Sequence, residues 1–295
     1  MPQSADEVVE DFHRLYYDSH ERTWTNTSWR GVETWKCPLD LWVYQEMFHE
    51  LQPDLVIETG TAHGGSAYFM ASLFDLMGTG TVLSIDIDDR RSRPQHPRIE
   101  YFTGSSVEPP ALDRARELAG RAERVLVILD SDHSQAHVRA ELEVYAPLVT
   151  PGSYLVVEDT NVHGHPVLLE HGPGPMEALD DFLAQTDEFV IDASREKYFL
   201  TFNPRGFLKR VPAGSGVALP GPVRPARWLT APEPVPAPAP QPAPVQPALV
   251  PLGPPRGGLL NAAARGVDGL LRRRGLALAR QAPPASSSAD PADPA

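Results

Sequence analysis

The sequence has almost no cysteine, no long apolar run and no phosphate-binding glycine motif. Cys37 is the single cysteine among 295 residues. It excludes an internal disulfide framework and fits a reducing compartment, so we expect a cytoplasmic location. The first residues show no basic segment followed by an apolar one, and no stretch approaches the roughly 18 apolar residues of a membrane span. We therefore expect neither a signal peptide nor a transmembrane segment.

Acidic residues outnumber basic ones, and the excess lies in one part of the chain. The net charge is -13; residues 212–295 hold eight Arg and four acids, a net +4, which leaves -17 for residues 1–211. Residues 1–211 are so negatively charged that they repel nucleic acid, and no nucleic-acid partner is expected. Its expected partners are small molecules, and its carboxylates are suited to hold a divalent ion.

The composition changes abruptly near Val211. Residues 212–257 are rich in Pro and Ala, which favours a disordered, extended linker. Residues 258–281 recover helical spacing beside several Arg, as in an amphipathic basic helix, although a weakly helical tail fits equally well. Residues 282–295 have the composition of a disordered tail. This region could dock a partner or a membrane surface, and its role stays open.

Residues 1–34 are expected to form an N-terminal helical or lid segment, and residues 35–211 a single α/β domain. Within that domain, nearly continuous apolar strands alternate with helical patterns, which is typical of a parallel sheet buried on both faces. We predict a Rossmann-like, mostly parallel seven-stranded sheet with helices on both faces. The predicted strands are residues 54–58, 81–86, 98–102, 124–129, 154–158, 188–192 and 198–203, and the predicted helices are residues 41–51, 66–77, 111–119, 135–145 and 175–184.

A strand, a glycine-rich turn and a helix follow one another in DLVIETGTAHGGS, residues 54–66. This order is typical of the first βαβ unit of a nucleotide-binding sheet. Gly60, Gly64 and Gly65 do not match the dinucleotide motif G-x-G-x-x-G, and the turn has no G-K-[ST] of a P-loop. An NAD-dependent oxidoreductase is therefore disfavoured.

Acidic residues stand where the first two strands end. A carboxylate at Glu58 can receive the ammonium group of S-adenosylmethionine (SAM), a group that NAD lacks. Asp86, a little over twenty residues after the glycine turn, is placed to accept the ribose hydroxyls of an adenosine. Ser105 lies in a small polar turn that could border the adenine.

The next two strands also end in acids, Asp130 in LDSDHS and the pair Glu158 and Asp159 in VVEDT. These like charges would repel at one rim unless a cation offset them, and three hard oxygen ligands suit Mg²⁺. His133 could act as the general base for a metal-bound hydroxyl, or could only pack at a helix start. Asp132 either replaces Asp130 as a ligand or supports it.

The runs WKCPLDLWVYQEMFHELQPDLVIETGTAHGGSA, SIDID, LDSDHS and VVEDT together resemble the cephalosporin hydroxylase family. These proteins are SAM-dependent class I methyltransferases of bacterial natural-product pathways, with relatives that O-methylate macrolide sugars and rhamnose. The resemblance spans about residues 35–209. It implies metal ligands at Asp130, Glu158 and Asp159 and a base at His133, whereas the catechol-type relatives usually have Lys there. It implies SAM contacts at Glu58, Gly60, Thr61, Gly64, Ser66, Asp86, Ser105 and Asp130.

Two functions from different classes remain open. The first is a Mg²⁺-dependent O-methyltransferase that acts on a hydroxyl of a sugar or other secondary metabolite, with a small glycoside as the expected acceptor. The second is a non-catalytic SAM-fold protein that binds or scaffolds a biosynthetic enzyme. The enzyme is favoured because a scaffold has no need to keep the acids and His133 together. A homo-oligomer is compatible with both.

Two further features leave alternatives open. The four tryptophans Trp24, Trp29, Trp35 and Trp42 could form a sugar-stacking lid or a packing interface. Residues 161–175 are rich in glycine and proline and are the candidate mobile lid. In this loop, His163 and His165 could contact the substrate or could only cap the loop.

Overall fold

The computed structural model describes residues 3–90, 92–212 and 214–215. The predicted linker from residue 216 onward, the basic helix at 258–281 and the tail at 282–295 lie outside the described residues. The strands are β1 (Ser28–Trp29), β2 (Val32–Glu33), β3 (Leu55–Thr59), β4 (Thr81–Asp86), β5 (Ile99–Thr103), β6 (Val125–Leu129), β7 (Tyr154–Val157), β8 (Phe189–Ile191) and β9 (Phe207–Arg210). The helices are α1 (Ala5–Asp18), α2 (Pro38–Leu51), α3 (Gly65–Met77), α4 (Pro109–Ala119), α5 (Gln135–Tyr145) and α6 (Pro175–Leu183).

Seven strands form one mixed sheet in the order β5-β4-β3-β6-β7-β9-β8. The first five strands of that order run parallel, and β9 is antiparallel to both of its neighbours. β3 lies between β4 and β6, and the strand order reverses its direction across the sheet at β3 and β6. In such sheets ligands bind at the carboxyl ends of the strands, beside this switch point.

The sheet is buried on both faces because alternate strand residues point to opposite sides. Ile57 and Val127 belong to the core cluster that α4, α5 and α6 cover. Their chain neighbours Val56 and Leu126 belong to a second cluster, covered by α2 and α3. The prediction of a mostly parallel seven-stranded sheet with helices on both faces is confirmed.

The predicted last strand at 198–203 is wrong. Tyr198 and Phe199 have φ angles of +79° and +63°, left-handed values that no strand residue adopts. The backbone N–H of Phe202 donates to Asp40 Oδ2 at 2.9 Å instead of to a neighbouring strand. The strand that completes the sheet is β9, which begins only after the turn at Pro204.

The N-terminal residues form one helix and a short hairpin. Ser4 caps α1 and shares a reciprocal capping box with Glu7. His13 is the buried residue of α1; its ring stacks on Phe202, and its Nε2 lies 3.0 Å from Nδ2 of Asn161. β1 and β2 pair as a separate antiparallel hairpin. Among the described helices, none is both long and apolar enough to span a membrane.

Candidate active site

Carboxylates gather at the rim formed by the carboxyl ends of β3, β4, β6 and β7. Glu58 is the fourth residue of β3, and Asp86 is the last residue of β4. Asp130 directly follows β6, and Glu158 directly follows β7. The parallel register of these strands brings together residues that are far apart in sequence.

The glycine turn fits tightly against the end of β6. Gly60 has a φ of +85°, and a Cβ atom there would lie 1.8 Å from the backbone oxygen of Asp130. A side chain at this position would therefore displace Asp130 or the turn. Gly64, with φ +81°, precedes the first residue of α3. Glycine at residue 60 thus allows the close approach that sets the position of Asp130.

Glu58 is fully buried, and only one of its two carboxylate oxygens has a hydrogen-bond partner. Its Oε2 accepts a hydrogen bond from Ser84 Oγ at 2.7 Å, whereas its Oε1 has no hydrogen-bond partner. Burial raises the pKa of Glu58 to about 7, although Lys36, Ser66 and Ser84 oppose this shift. A buried, unpaired carboxylate oxygen is costly. It suits a ligand that brings its own positive charge, as an ammonium group does.

Asp86 holds the glycine turn in place through hydrogen bonds to its backbone. Its Oδ2 accepts hydrogen bonds from the backbone N–H groups of Thr61 and Ala62, at 3.0 and 2.8 Å. The same oxygen lies 2.9 Å from Nη2 of the buried Arg93. Oδ1 accepts from the N–H of Asp88. A ribose would therefore share a carboxylate that already organises the turn.

The remaining residues of the predicted cofactor set lie on the same elements. Thr61 Oγ1 lies 2.8 Å from Ser84 Oγ. Ser66 is buried in the first turn of α3. Ser105 is partly exposed in the loop that follows β5.

Asp130, His133 and Asp159 form a compact group. One potential ligand atom from each residue lies within 4.8 Å of the others. His133 Nε2 lies 3.4 Å from Asp130 Oδ1 and 3.3 Å from Asp159 Oδ2, yet it has no hydrogen bond of acceptable geometry. Burial lowers the pKa of His133, but the carboxylates of Asp159 and Asp130 outweigh it and raise that pKa to about 9. This environment favours a cation.

Asp159 is held in place by its backbone. Its φ is +54°, and its N–H donates to Asn203 Oδ1 at 3.0 Å. A left-handed residue other than glycine costs about 1 kcal/mol or more, and such strain is often found at functional sites. Asn203 therefore helps to keep the Asp159 carboxylate beside His133.

Glu158 has different partners from Asp159. Its Oε1 accepts hydrogen bonds from Lys36 Nζ and from Tyr44 Oη, both at 2.6 Å. Lys36 Nζ also lies 2.5 Å from Asp130 Oδ2. Lys36 is 4 % exposed, so an ammonium group lies buried among the acids of the rim. The cation that the clustered acids require is thus partly supplied by the chain itself.

Asp132 and the two loop histidines are not members of the group that Asp130, His133 and Asp159 form. Asp132 Oδ1 accepts a hydrogen bond from the N–H of Ser134, just before α5. His165 Nε2 lies 2.8 Å from Glu177 Oε1, and the ring of His163 packs against that of His165. Asp132 therefore acts as a turn residue at the start of the helix.

The four tryptophans occupy different surroundings. Trp24 packs in an N-terminal aromatic cluster. Trp29 and Trp42 line an apolar pocket between α2 and α3. Trp35 is partly exposed, and its ring meets that of His63, in the glycine turn, at a centroid distance of 4.6 Å. Trp35 is therefore the tryptophan next to the glycine turn of the rim.

Sequence reasoning missed Lys36, Tyr44 and Arg93. Lys36 reaches Glu158 across 122 positions, and Tyr44 reaches it across 114. No local spacing could indicate such contacts. The one available signal was electrostatic, since the acids predicted at one rim required a positive charge nearby.

Comparison with known proteins gives one consistent family. The sequence model described as "Rhamnosyl O-methyltransferase/CmcI" matches residues 21–211. The rhamnosyl O-methyltransferase of Mycobacterium tuberculosis is 40% identical over 213 residues, which cover 70% of this chain and 86% of that protein. The rhamnosyl O-methyltransferase of Mycobacterium leprae is 40% identical over 212 residues, 70% of this chain and 92% of that protein. A structure of CmcI with Mg and SAM has a TM-score of 0.50 and 25% identity, covering 64% of this chain and 78% of that one.

Proposed function

We propose that this chain, which belongs to the rhamnosyl O-methyltransferase/CmcI family and is a SAM-dependent O-methyltransferase, methylates a sugar hydroxyl of a small glycoside. The reaction uses a divalent cation. The observation that carries this proposal is the group of Asp130, His133 and Asp159. It lies at the same rim as Glu58, whose free oxygen suits a cationic methyl donor.

The residues present fit a magnesium ion. Carboxylate oxygens are the ligands that Mg²⁺ prefers, and Asp130 and Asp159 offer them from neighbouring strand ends. Glu158 would complete the expected ligand set with the oxygen that does not face Lys36 and Tyr44. Bound there, the ion would supply Lewis-acid activation of an acceptor hydroxyl.

The residues also fit SAM. Glu58 would hold the ammonium group of the donor through its free oxygen, and Asp86 would bind the ribose. Gly60 and Gly64 add no side chain at their two positions of the turn. SAM supplies the methyl group, whose bond to sulfur breaks, with its electron pair left on sulfur, as the bond to the acceptor oxygen forms.

His133 is the residue that we assign to the proton transfer. Its Nε2 is buried beside two carboxylates and makes no hydrogen bond. The carboxylates of Asp159 and Asp130 raise the pKa of His133 while no cation offsets their charge. With a divalent cation at those carboxylates the neutral ring would be favoured, and Nε2 could then accept the proton of an acceptor hydroxyl held beside Asp130 and Asp159. The two carboxylates then stabilise the imidazolium that results. Because methyl transfer is an in-line displacement, correct placement of the hydroxyl contributes as much as its activation.

A sugar acceptor is favoured by three observations. The curated relatives at 40% identity are rhamnosyl O-methyltransferases. The residue beside the acidic pair is His133, whereas lysine is usual in relatives that methylate catechols. Trp35, exposed beside the glycine turn, offers an aromatic face on which a sugar ring can stack.

The test is a product assay with a defined acceptor panel. The purified protein is incubated with SAM and Mg²⁺ and with an alkyl rhamnoside, other deoxysugar glycosides or a catechol, and products are analysed by mass spectrometry. A mass gain of one methylene on a glycoside is expected, with none on the catechol. SAM binding without transfer to any glycoside would instead support a non-catalytic binding protein.

A further inference from the structure

Lys36 is a buried cation at the centre of the acidic rim. It lies between β2 and the first residue of α2, and its side chain is 3% exposed. Its Nζ lies 2.5 Å from Asp130 Oδ2 and 2.6 Å from Glu158 Oε1. A buried ammonium group persists only where it is paired and hydrogen-bonded. Both conditions are met here by residues of the expected metal set.

The charge on Lys36 is secured by its neighbours. Burial acts to lower its pKa, but the carboxylates of Asp130, Glu158 and Glu58 hold it well above the usual range. The contacts of Nζ with Asp130 and Glu158, at 2.5 and 2.6 Å, are those of an ammonium group paired with two carboxylates.

Lys36 also occupies one oxygen of Asp130 and one of Glu158, and it leaves the other oxygen of each carboxylate for a divalent ion. On Asp130 it takes Oδ2 and leaves Oδ1 facing His133. On Glu158 it shares Oε1 with the hydroxyl of Tyr44. The Asp130 carboxylate thus has the ammonium group of Lys36 at one oxygen and Nε2 of His133 at the other. A divalent ion bound there would experience like-charge repulsion from Lys36 at short range.

We propose that Lys36 is a built-in counter-cation of the metal site: it holds Asp130 and Glu158 in place before a divalent ion binds, and its charge weakens the binding of that ion. Its role is positioning and tuning, since it acts through the carboxylates. The inference rests on the proposed metal-dependent function. It explains how Asp130 and Glu158 can lie buried side by side without a bound ion.

The experiment measures the affinity for Mn²⁺ by isothermal titration calorimetry in the natural protein and in Lys36→Met. Methionine has a similar volume and no charge, so repulsion disappears and two carboxylate oxygens are freed. We expect the dissociation constant to fall at least about tenfold. We also expect Lys36→Met to have a lower melting temperature in EDTA than the natural protein, with most of the loss recovered in saturating Mn²⁺.

Lys197→Met is the matched control. Lys197 is also ion-paired, with Glu46, and neither of these residues belongs to the group of potential metal ligands. Its substitution is expected to leave the Mn²⁺ affinity unchanged. A merely structural role for Lys36 predicts the opposite of the proposal, namely unchanged or weaker Mn²⁺ binding in Lys36→Met, and that result would overturn it.

Two outcomes remain, and both are decisive. If Lys36→Met folds only in the presence of Mn²⁺, the ion replaces the ammonium group and the proposal is supported. If Lys36→Met folds in neither condition, Lys36→Arg is measured instead. Arginine keeps the positive charge, so its Mn²⁺ affinity should stay as weak as that of the natural protein. Tighter Mn²⁺ binding by Lys36→Arg would overturn the proposal. Failure of the natural protein to bind Mn²⁺ at all would refute the proposed function itself, which separates the two claims.

Discussion

His133 Nε2 lies 3.3 Å from Asp159 Oδ2, although the two residues come from the ends of different strands. The backbone geometry of Asp159 and its hydrogen bond to Asn203 fix one side of this contact. The other side is fixed by the start of α5, two residues after His133. The relationship is therefore set by the fold, and it places an imidazole between two carboxylates.

His133→Asn is expected to abolish most of the methyl transfer while SAM binding persists. Loss of a general base typically lowers turnover by about 10²- to 10⁴-fold. Turnover is measured with the glycoside that the product assay identifies, and SAM affinity by calorimetry. His165→Gln, which alters a histidine paired with Glu177 in the loop, serves as the control. Equal loss of SAM binding in His133→Asn would assign His133 a structural role instead.

Glu58→Gln is expected to stabilise the free protein and weaken SAM binding. Burial raises the pKa of Glu58 to about 7, so its charge destabilises the folded state as the pH rises above the ordinary value of 4.5. A neutral amide removes up to about 3 kcal/mol of that cost at pH 8. The same change removes the carboxylate for the SAM ammonium, and the SAM dissociation constant should rise at least about tenfold.

Thermal unfolding and calorimetry at pH 8 check both effects in the same samples. Glu143→Gln, on the exposed side of α5, is the control and should change neither. An affinity for SAM that matches the natural protein would remove Glu58 from the cofactor site.

Gly60→Ala and Gly78→Ala form a matched pair that isolates the contact with Asp130. Both glycines have left-handed φ angles, +85° and +80°. A Cβ at Gly78 meets nothing within 4 Å, whereas at Gly60 it would overlap the backbone oxygen of Asp130. Gly78→Ala should cost about 1 kcal/mol of unfolding free energy from backbone strain alone. Gly60→Ala should cost at least about 2 kcal/mol more, because overlap with backbone is not relieved by a rotamer change.

Urea denaturation gives both free energies. We also expect Gly60→Ala to lose Mn²⁺ affinity, because its side chain would displace Asp130. Equal costs for the two variants would show that the turn and β6 are less tightly packed than the structure indicates.

Much of the site was predictable because parallel strands bring their carboxyl ends to one edge. Glu58, Asp86 and Asp130 all lie at the rim that their positions in the apolar runs predicted. Side-chain partners were not predictable in the same way. Glu158 follows its strand as expected, but its contact with Lys36 depends on the packing of α2 against the sheet, which no local pattern reveals.

The failure at 198–203 has a comparable cause. Aromatic and β-branched residues there favour a strand. The chain instead turns through left-handed residues at Tyr198 and Phe199, and Phe202 joins the aromatic cluster around α1. A tertiary contact with Asp40 outweighs the local preference.

His13 is expected to make the protein sensitive to mild acid. Burial, together with Arg14, lowers the pKa of His13 from 6.5 to about 4, so the folded protein holds this ring neutral. Because the unfolded chain takes up the proton first, stability from this residue is complete above pH 6.5 and is lost as the pH falls towards 4. The loss amounts to up to about 3 kcal/mol.

Urea denaturation at pH 7, 5.5 and 4.5 measures this dependence. His13→Gln keeps an acceptor for Asn161 without a titratable ring, and it should flatten the curve in this window. His49→Gln, at an exposed position of α2, should leave the curve as it is. An unchanged pH dependence in His13→Gln would assign the acid sensitivity to other groups.

We propose that Asp130 and Asp159, together with Glu158, hold a divalent cation beside His133, and that a sugar hydroxyl is methylated there. Mass spectrometry of the glycoside product tests it most directly, with SAM present and with Mg²⁺ either supplied or removed by EDTA, in the natural protein and in Asp159→Asn. We expect methylated glycoside only from the natural protein with Mg²⁺, and a return of activity when Mg²⁺ is restored after EDTA. Full product formation in EDTA, or by Asp159→Asn, would contradict the account.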